Sequence, residues 1–172
     1  MKSSLSCRFD FTEQLFTKDQ ILGSSHDYFR EPDFTSGAAR FAAVQLGGAD
    51  AAIDTTVAHL KRLDRTDSPD QVRRMGKLSI LRESGNLWLR GAGDALDRRY
   101  SHSSECVTYT NMFRTVTRTI CEESLKICEK SVGLQGMMAP HPLERIHRDL
   151  SVYLKQPGPD SALNQIGKTF TL

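Results

Sequence analysis

The 172 residues include one tryptophan, four cysteines and six prolines, and no apolar run approaches the roughly 18 residues needed to span a bilayer. No transmembrane helix is therefore expected. Met1 to Ser6 leads straight into polar residues, without the apolar stretch of a secretory leader. The four cysteines, at 7, 106, 121 and 128, form no C-x-x-C pair, which argues against a zinc ribbon or dithiol redox motif. Reduced thiols in a cytoplasmic protein are the expectation. Neither charge sign dominates: 23 Lys and Arg face 21 Asp and Glu, and the net +2 implies no nucleic-acid partner. No repeat and no low-complexity tract interrupts the chain, and at this length folding hides roughly 70% of the unfolded surface, enough for one core without staples.

Helical spacing fills most of what remains. In residues 1 to 35, Phe9-Asp10-Phe11 alternates as a short strand would, and irregular chain rich in Gly, Ser and aromatics follows. From Ser36 onward Ala42, Leu46, Ala49, Ile53, Val57, Leu60 and Leu63 recur at steps of three or four, predicting a helix over 36 to 64. Ser68 before Pro69 offers a capping hydroxyl and a first-turn proline for a second helix reaching Arg99, with the stripe Met75, Leu78, Leu81, Gly85, Trp88 or Leu89, Ala92 and Leu96. Gly85, Gly91 and Gly93 each weaken that helix by about 1 kcal/mol unless a neighbour packs closely against them, and close packing is the expectation at all three. Ser101 to Ser104 caps a third helix whose stripe runs from Tyr109 through Phe113, Val116, Ile120, Ser124, Ile127 and Ser131 to Leu134. A fourth helix covers 142 to 155, stopped by Pro157-Gly158-Pro159, and a short last turn covers 160 to 168. The fold class is all-α: an antiparallel four-helix bundle over 36 to 172, preceded by a strand and linker segment over 1 to 35.

Few residues carry chemistry. Glu144-x-x-His147 has the spacing of a carboxylate-bridged metal site, but such sites need the motif twice, so an ordinary helix face and no metal is expected. Cys106, Cys121 and Cys128 fall inside a helix, where a buried thiol is expected rather than a nucleophile. No phosphate loop occurs. Lys61, Arg62, Arg65, Arg73, Arg74 and Lys77 straddle a helix connection, as a solvated face or as an anion contact. The densest constellation is Gly133-Leu134-Gln135-Gly136 followed by Pro142 and Arg145-Ile146-His147-Arg148-Asp149. Its glycines allow a ligand close to the backbone, and Arg148 with Asp149 orients a charge or ties two helices.

This constellation resembles the C-terminal helical domain of the acyl-CoA dehydrogenase family, in which a long helix ends in a Gln-x-x-Gly-Gly-x-Gly segment and a proline and an Arg-x-x-Arg-Asp helix follow. The stretch from Gly37 through Ala38, Ala39, Arg40 and Phe41 to Gly47 is similar to the start of that domain's first helix, and residues 9 to 35 resemble the end of the family's middle β domain and its linker. The resemblance implies a flavoprotein that binds FAD between subunits, oxidises acyl thioesters, and assembles as a homo-oligomer or with a chain supplying further domains. It assigns cofactor contacts to Lys130, Gly133, Gly136, Arg148 and Asp149 and names no catalytic residue.

The departures from the pattern bear on activity. The family's catalytic glutamate segment reads Pro157-Gly158-Pro159 here, and its alternative base position holds Ala39. Lys130 stands at the cofactor-contacting glutamine, Leu134 replaces the second glycine, and no Phe-Gly follows Arg62 to Asp67. The 172 residues leave no room for the family's N-terminal domain and most of its middle domain, so catalysis by this chain alone is not expected. The alternative is a non-catalytic helical oligomerisation or interaction module.

Overall fold

A computed structural model describes residues 7 to 155 and 158 to 171. The reading of Met1 to Ser6, and Pro157 of the helix stop, lie outside the described residues. Six α-helices follow one another: α1 (Asp33–Ser36), α2 (Ala38–Arg62), α3 (Pro69–Asp97), α4 (Ser103–Val132), α5 (Pro142–Tyr153) and α6 (Pro159–Thr171). Single 3-10 turns stand at Lys18–Gln20, Asp27–Phe29 and Leu134–Met137.

The helices alternate in direction. Gly85 of α3 packs against Leu46 of α2 and Arg82 bonds Asp50 and Asp54, so residue numbers fall on one helix as they rise on the other. Cys121 of α4 donates to the Gln45 carbonyl of α2, whereas Gln71 of α3 reaches the Ser131 carbonyl of α4. On α5, Tyr153 receives Gln45 while His141, before its first turn, meets His59. Up, down, up, down is the result, and the antiparallel bundle stands. Asn111 of α4 bonds Gln165 of α6, which lies antiparallel against the first half of α4.

The core is drawn from the anticipated stripes. Ala42, Leu46, Ala49, Ile53 and Leu60 are buried on α2; Leu78, Gly85 and Ala92 on α3; Phe113, Ile120 and Ser124 on α4. Each fully buried large apolar side chain here contributes roughly 1.5 to 3 kcal/mol relative to its exposed state, and Phe113 is wholly inaccessible.

Several expectations need correction. No strand forms among the described residues: Phe9 and Phe11 stack on each other in solvent, and Asp10 folds back onto the amide and hydroxyl of Thr12, turning the chain before any partner strand could pair with it. Ser68 does precede α3, but its side chain makes no capping bond, and His102, not a serine, holds the cap position of α4. Leu63 and Leu134 lie exposed beyond their helix ends. The last segment is no single turn but the 13-residue helix α6, which buries Ala162 against the bundle. Close packing holds at Gly85 and Gly91 and fails at Gly93, which faces open space.

Candidate functional site

Gly133 caps α4 with φ +76°, a left-handed conformation that a side chain would strain, and it has open space above it. Gly136 is different. It is buried, and a Cβ there would stand 2.8 Å from Val132 Cγ1 and 3.0 Å from Leu143 Cδ2, so its small size serves the junction of α4 and α5. Arg148 donates from Nε to Glu144 Oε1 at 2.8 Å and lies 3.6 Å from Asp149 Oδ1. That carboxylate bond holds the guanidinium pKa above its ordinary value. Glu144 and His147 separate: Glu144 takes Arg148, and His147 lies 3.7 Å from Glu129 of α4. Among the described residues no three His, Cys, Asp or Glu side chains converge as a metal site.

Lys130, near the end of α4, lines a groove of about 360 Å³ shared with the first turns of α3. Five cations stand around it, Arg73, Arg74 and Lys77 from α3 and Lys126 and Lys130 from α4, against two carboxylates, Asp70 and Glu123. Arg73 is occupied by Asp70, Lys126 lies 3.5 Å from Glu123, and Arg74 Nη1 donates to the Lys130 carbonyl at 3.3 Å. Half of the basic run seen in the sequence thus faces α4 across a cleft. The other four residues assigned by resemblance do not line this groove.

Beside the groove stands a residue that periodicity did not single out. Gln71 donates from Nε2 to the Ser131 carbonyl at 3.1 Å, which leaves its Oε1 buried with no hydrogen-bond partner. An orphaned acceptor of this kind costs about 1 to 3 kcal/mol until a donor reaches it. In sequence Gln71 is one polar residue in a helix's first turn. Only the fold puts it against Ser131.

A second groove, about 460 Å³, opens at the other end of α2 among Tyr28, Phe34, Arg40, Phe41 and Arg114. Arg40 belongs to the alanine- and glycine-rich start of α2, and Ala39 beside it is buried in the core. Burial pushes the Arg114 guanidinium pKa down.

The family model described as "Acyl-CoA dehydrogenase, C-terminal domain" matches residues 27 to 168. The chain belongs to the acyl-CoA dehydrogenase family. The match spans α1 to α5 and most of α6, so the whole bundle is this family's C-terminal domain. No curated protein matches the chain. No helix among the described residues is long and apolar enough to cross a membrane.

FAD, the family's usual cofactor, meets a partial fit in this acyl-CoA dehydrogenase domain. Its diphosphate is a dianion, for which a groove of five cations against two carboxylates is suited, whereas the buried Gln71 oxygen does not line that groove. The three cysteines of α4 offer no competing chemistry. Burial drives the Cys121 thiol up to about 12 and raises those of Cys106 and Cys128, so none is a thiolate at neutral pH.

Proposed function

We propose that this domain is the cofactor-gripping, subunit-joining part of an acyl-CoA dehydrogenase-like flavoprotein in the cytoplasm. The cationic groove between α3 and α4 carries the reading. Lys130 and Arg74 would hold the FAD diphosphate, and Lys77 would add charge. Gly133 leaves the backbone at the end of α4 approachable. Arg148 and Asp149 stiffen α5 and stand ready for a contact from a neighbouring subunit.

When bound, FAD supplies the hydride acceptor of the family's reaction. At the two places where the family keeps its base this bundle has none: Ala39 is a buried methyl, and Pro159 opens α6. Catalysis therefore requires a carboxylate from outside this bundle, and the chain alone is inactive.

Oligomerisation rests on α3. At 100° per residue Val72, Gly76, Ile80 and Leu87 fall on the face opposite Leu78, Gly85 and Ala92, and Val72, Ile80 and Leu87 are 56%, 68% and 57% exposed. An apolar face of this kind suits a second copy of the chain.

The test is a titration of FAD into the purified chain, followed by flavin fluorescence at low ionic strength. Fluorescence changes on binding, inorganic pyrophosphate competes, and Lys130→Glu and Arg74→Glu each weaken binding about tenfold, the size of one lost charge-assisted contact. Unchanged fluorescence at high protein concentration, or binding indifferent to both charge reversals, overturns the reading and leaves the oligomerisation module.

A further inference from the structure

A different cluster, at the junction of α2 with α5, carries an inference independent of any cofactor. Leu143 N–H donates to His141 Nδ1 at 3.2 Å, and His141 Nε2 lies 3.1 Å from His59 Nδ1. Arg62 Nη2 approaches the same His59 nitrogen at 3.3 Å, and the two rings meet edge to face with centroids 4.9 Å apart. The hydrogen bonds dictate the tautomers. His141 accepts at Nδ1, so its proton sits on Nε2 and is donated to His59 Nδ1, whose own proton then sits on Nε2. Both imidazoles are neutral in this arrangement, and both Nδ1 lone pairs are in use.

We infer that the His59–His141 pair is a proton-operated latch holding the N-terminal turn of α5 against the C-terminal end of α2. A proton added to either ring must land on an Nδ1. On His141 it faces the Leu143 N–H, and the only side-chain cap of α5 is lost. On His59 it faces both the Nε2–H of His141 and the Arg62 guanidinium. Either event sets donor against donor.

The surrounding charges work in the same direction. Arg62 and Arg65, at the end of α2 and in the turn behind it, act on His59, and Arg62 acts on His141. On α5 the nearby carboxylate, Glu144, is taken by Arg148, and on α4 Glu129 lies 3.7 Å from His147. The turn Leu134–Met137 has no titratable side chain. Burial lowers both histidine pKa values below the ordinary range, helped at His59 by His141 and then by Arg62 and Arg65, and at His141 by Arg62. The unfolded chain thus binds these protons more readily than the folded one. The latch is fully closed above the ordinary histidine pKa and lost as pH falls through the lower folded values.

Opening releases more than one bond. Leu143, wholly buried, packs against Gly136 and anchors the start of the helix that carries Arg148 and Asp149. Acidification therefore loosens α5 while the long helices stay paired.

Amide hydrogen exchange of the full chain between pH 7.5 and 5.0, corrected for intrinsic rates, tests this. Protection at the Leu143 amide is expected to fall about tenfold, one proton's linkage over one pH unit, while that at Cys121 in mid α4 stays constant. His141→Asn keeps a side-chain acceptor for Leu143 and takes up no proton, so its Leu143 protection is flat with pH. Parallel loss at Leu143 and Cys121, or the parental pH profile in the folded variant, overturns the latch. So does titration of both parental imidazoles near 6.5 by NMR, which needs no variant.

Discussion

The ring of Tyr109 on α4 lies across Gly91 on α3, with Cζ 2.7 Å and the hydroxyl still nearer the point where a Cβ would stand. Tyr109 is fixed there by Trp88, whose ring centroid is 5.3 Å away. Gly91→Ala must displace an aromatic ring, at about 1 to 3 kcal/mol, against a helix-propensity gain of about 1 kcal/mol. A net loss is expected. Gly93→Ala, two residues on, meets nothing within 4 Å and should stabilise by about 0.5 to 1 kcal/mol. Urea denaturation of the two variants checks the pair, and a stabilising Gly91→Ala would refute the contact.

That contrast shows where sequence reasoning reaches and where it stops. The rule that a glycine inside a helix implies a close neighbour, applied to Gly85, Gly91 and Gly93, holds at two of the three, because it knows the helix but not which helix passes each glycine. The stripes of α2 and α4 were legible because Ala42, Leu46, Ala49, Ile53, Phe113 and Ile120 keep helical spacing and turn one face inward. Pro69 and Pro142 marked two helix starts because proline fits the first turn. Phe9-Asp10-Phe11 misled because alternation describes a strand only when a second strand accepts its hydrogen bonds. Gln71 and the His59–His141 pair were invisible for one reason: each acquires meaning from a partner 60 or 82 residues away.

Arg82 clamps α2 to α3. Its Nε lies 3.0 Å from Asp50 Oδ1, and its Nη2 lies 2.6 Å from Asp54 Oδ1 and 3.1 Å from the Asp50 carbonyl. Lysine has one ammonium and cannot reproduce this fork, so Arg82→Lys should cost nearly as much as Arg82→Met. The site is partly solvated, which limits the loss to about 1 kcal/mol and makes it shrink at high salt. A double-mutant cycle with Asp54→Asn at two ionic strengths measures it. Coupling unchanged by salt would contradict an ionic clamp.

Thiol reactivity should divide the cysteines sharply. Cys7 is exposed, whereas Cys106, Cys121 and Cys128 are buried with raised pKa values. Alkylation at pH 8 with mass-spectrometric readout should modify Cys7 within minutes and the other three only after denaturation. Fast labelling of Cys121 in the native chain would mean that the contact between α2 and α4 opens far more readily than its packing implies.

Gln71 offers a way to separate binding from stability. Replacing it with Met removes one hydrogen bond to the Ser131 carbonyl, about 0.5 to 1.5 kcal/mol, and also removes a buried carbonyl whose lack of a partner costs about 1 to 3 kcal/mol. The two nearly cancel. Gln71→Met should therefore leave the ligand-free melting temperature within a few degrees of the parent, or raise it. Gln71 does not line the cationic groove, so the same change should leave both FAD binding and competition by inorganic pyrophosphate as in the parent. A variant that binds FAD several-fold more weakly would show instead that the groove opens onto Gln71 when the nucleotide enters.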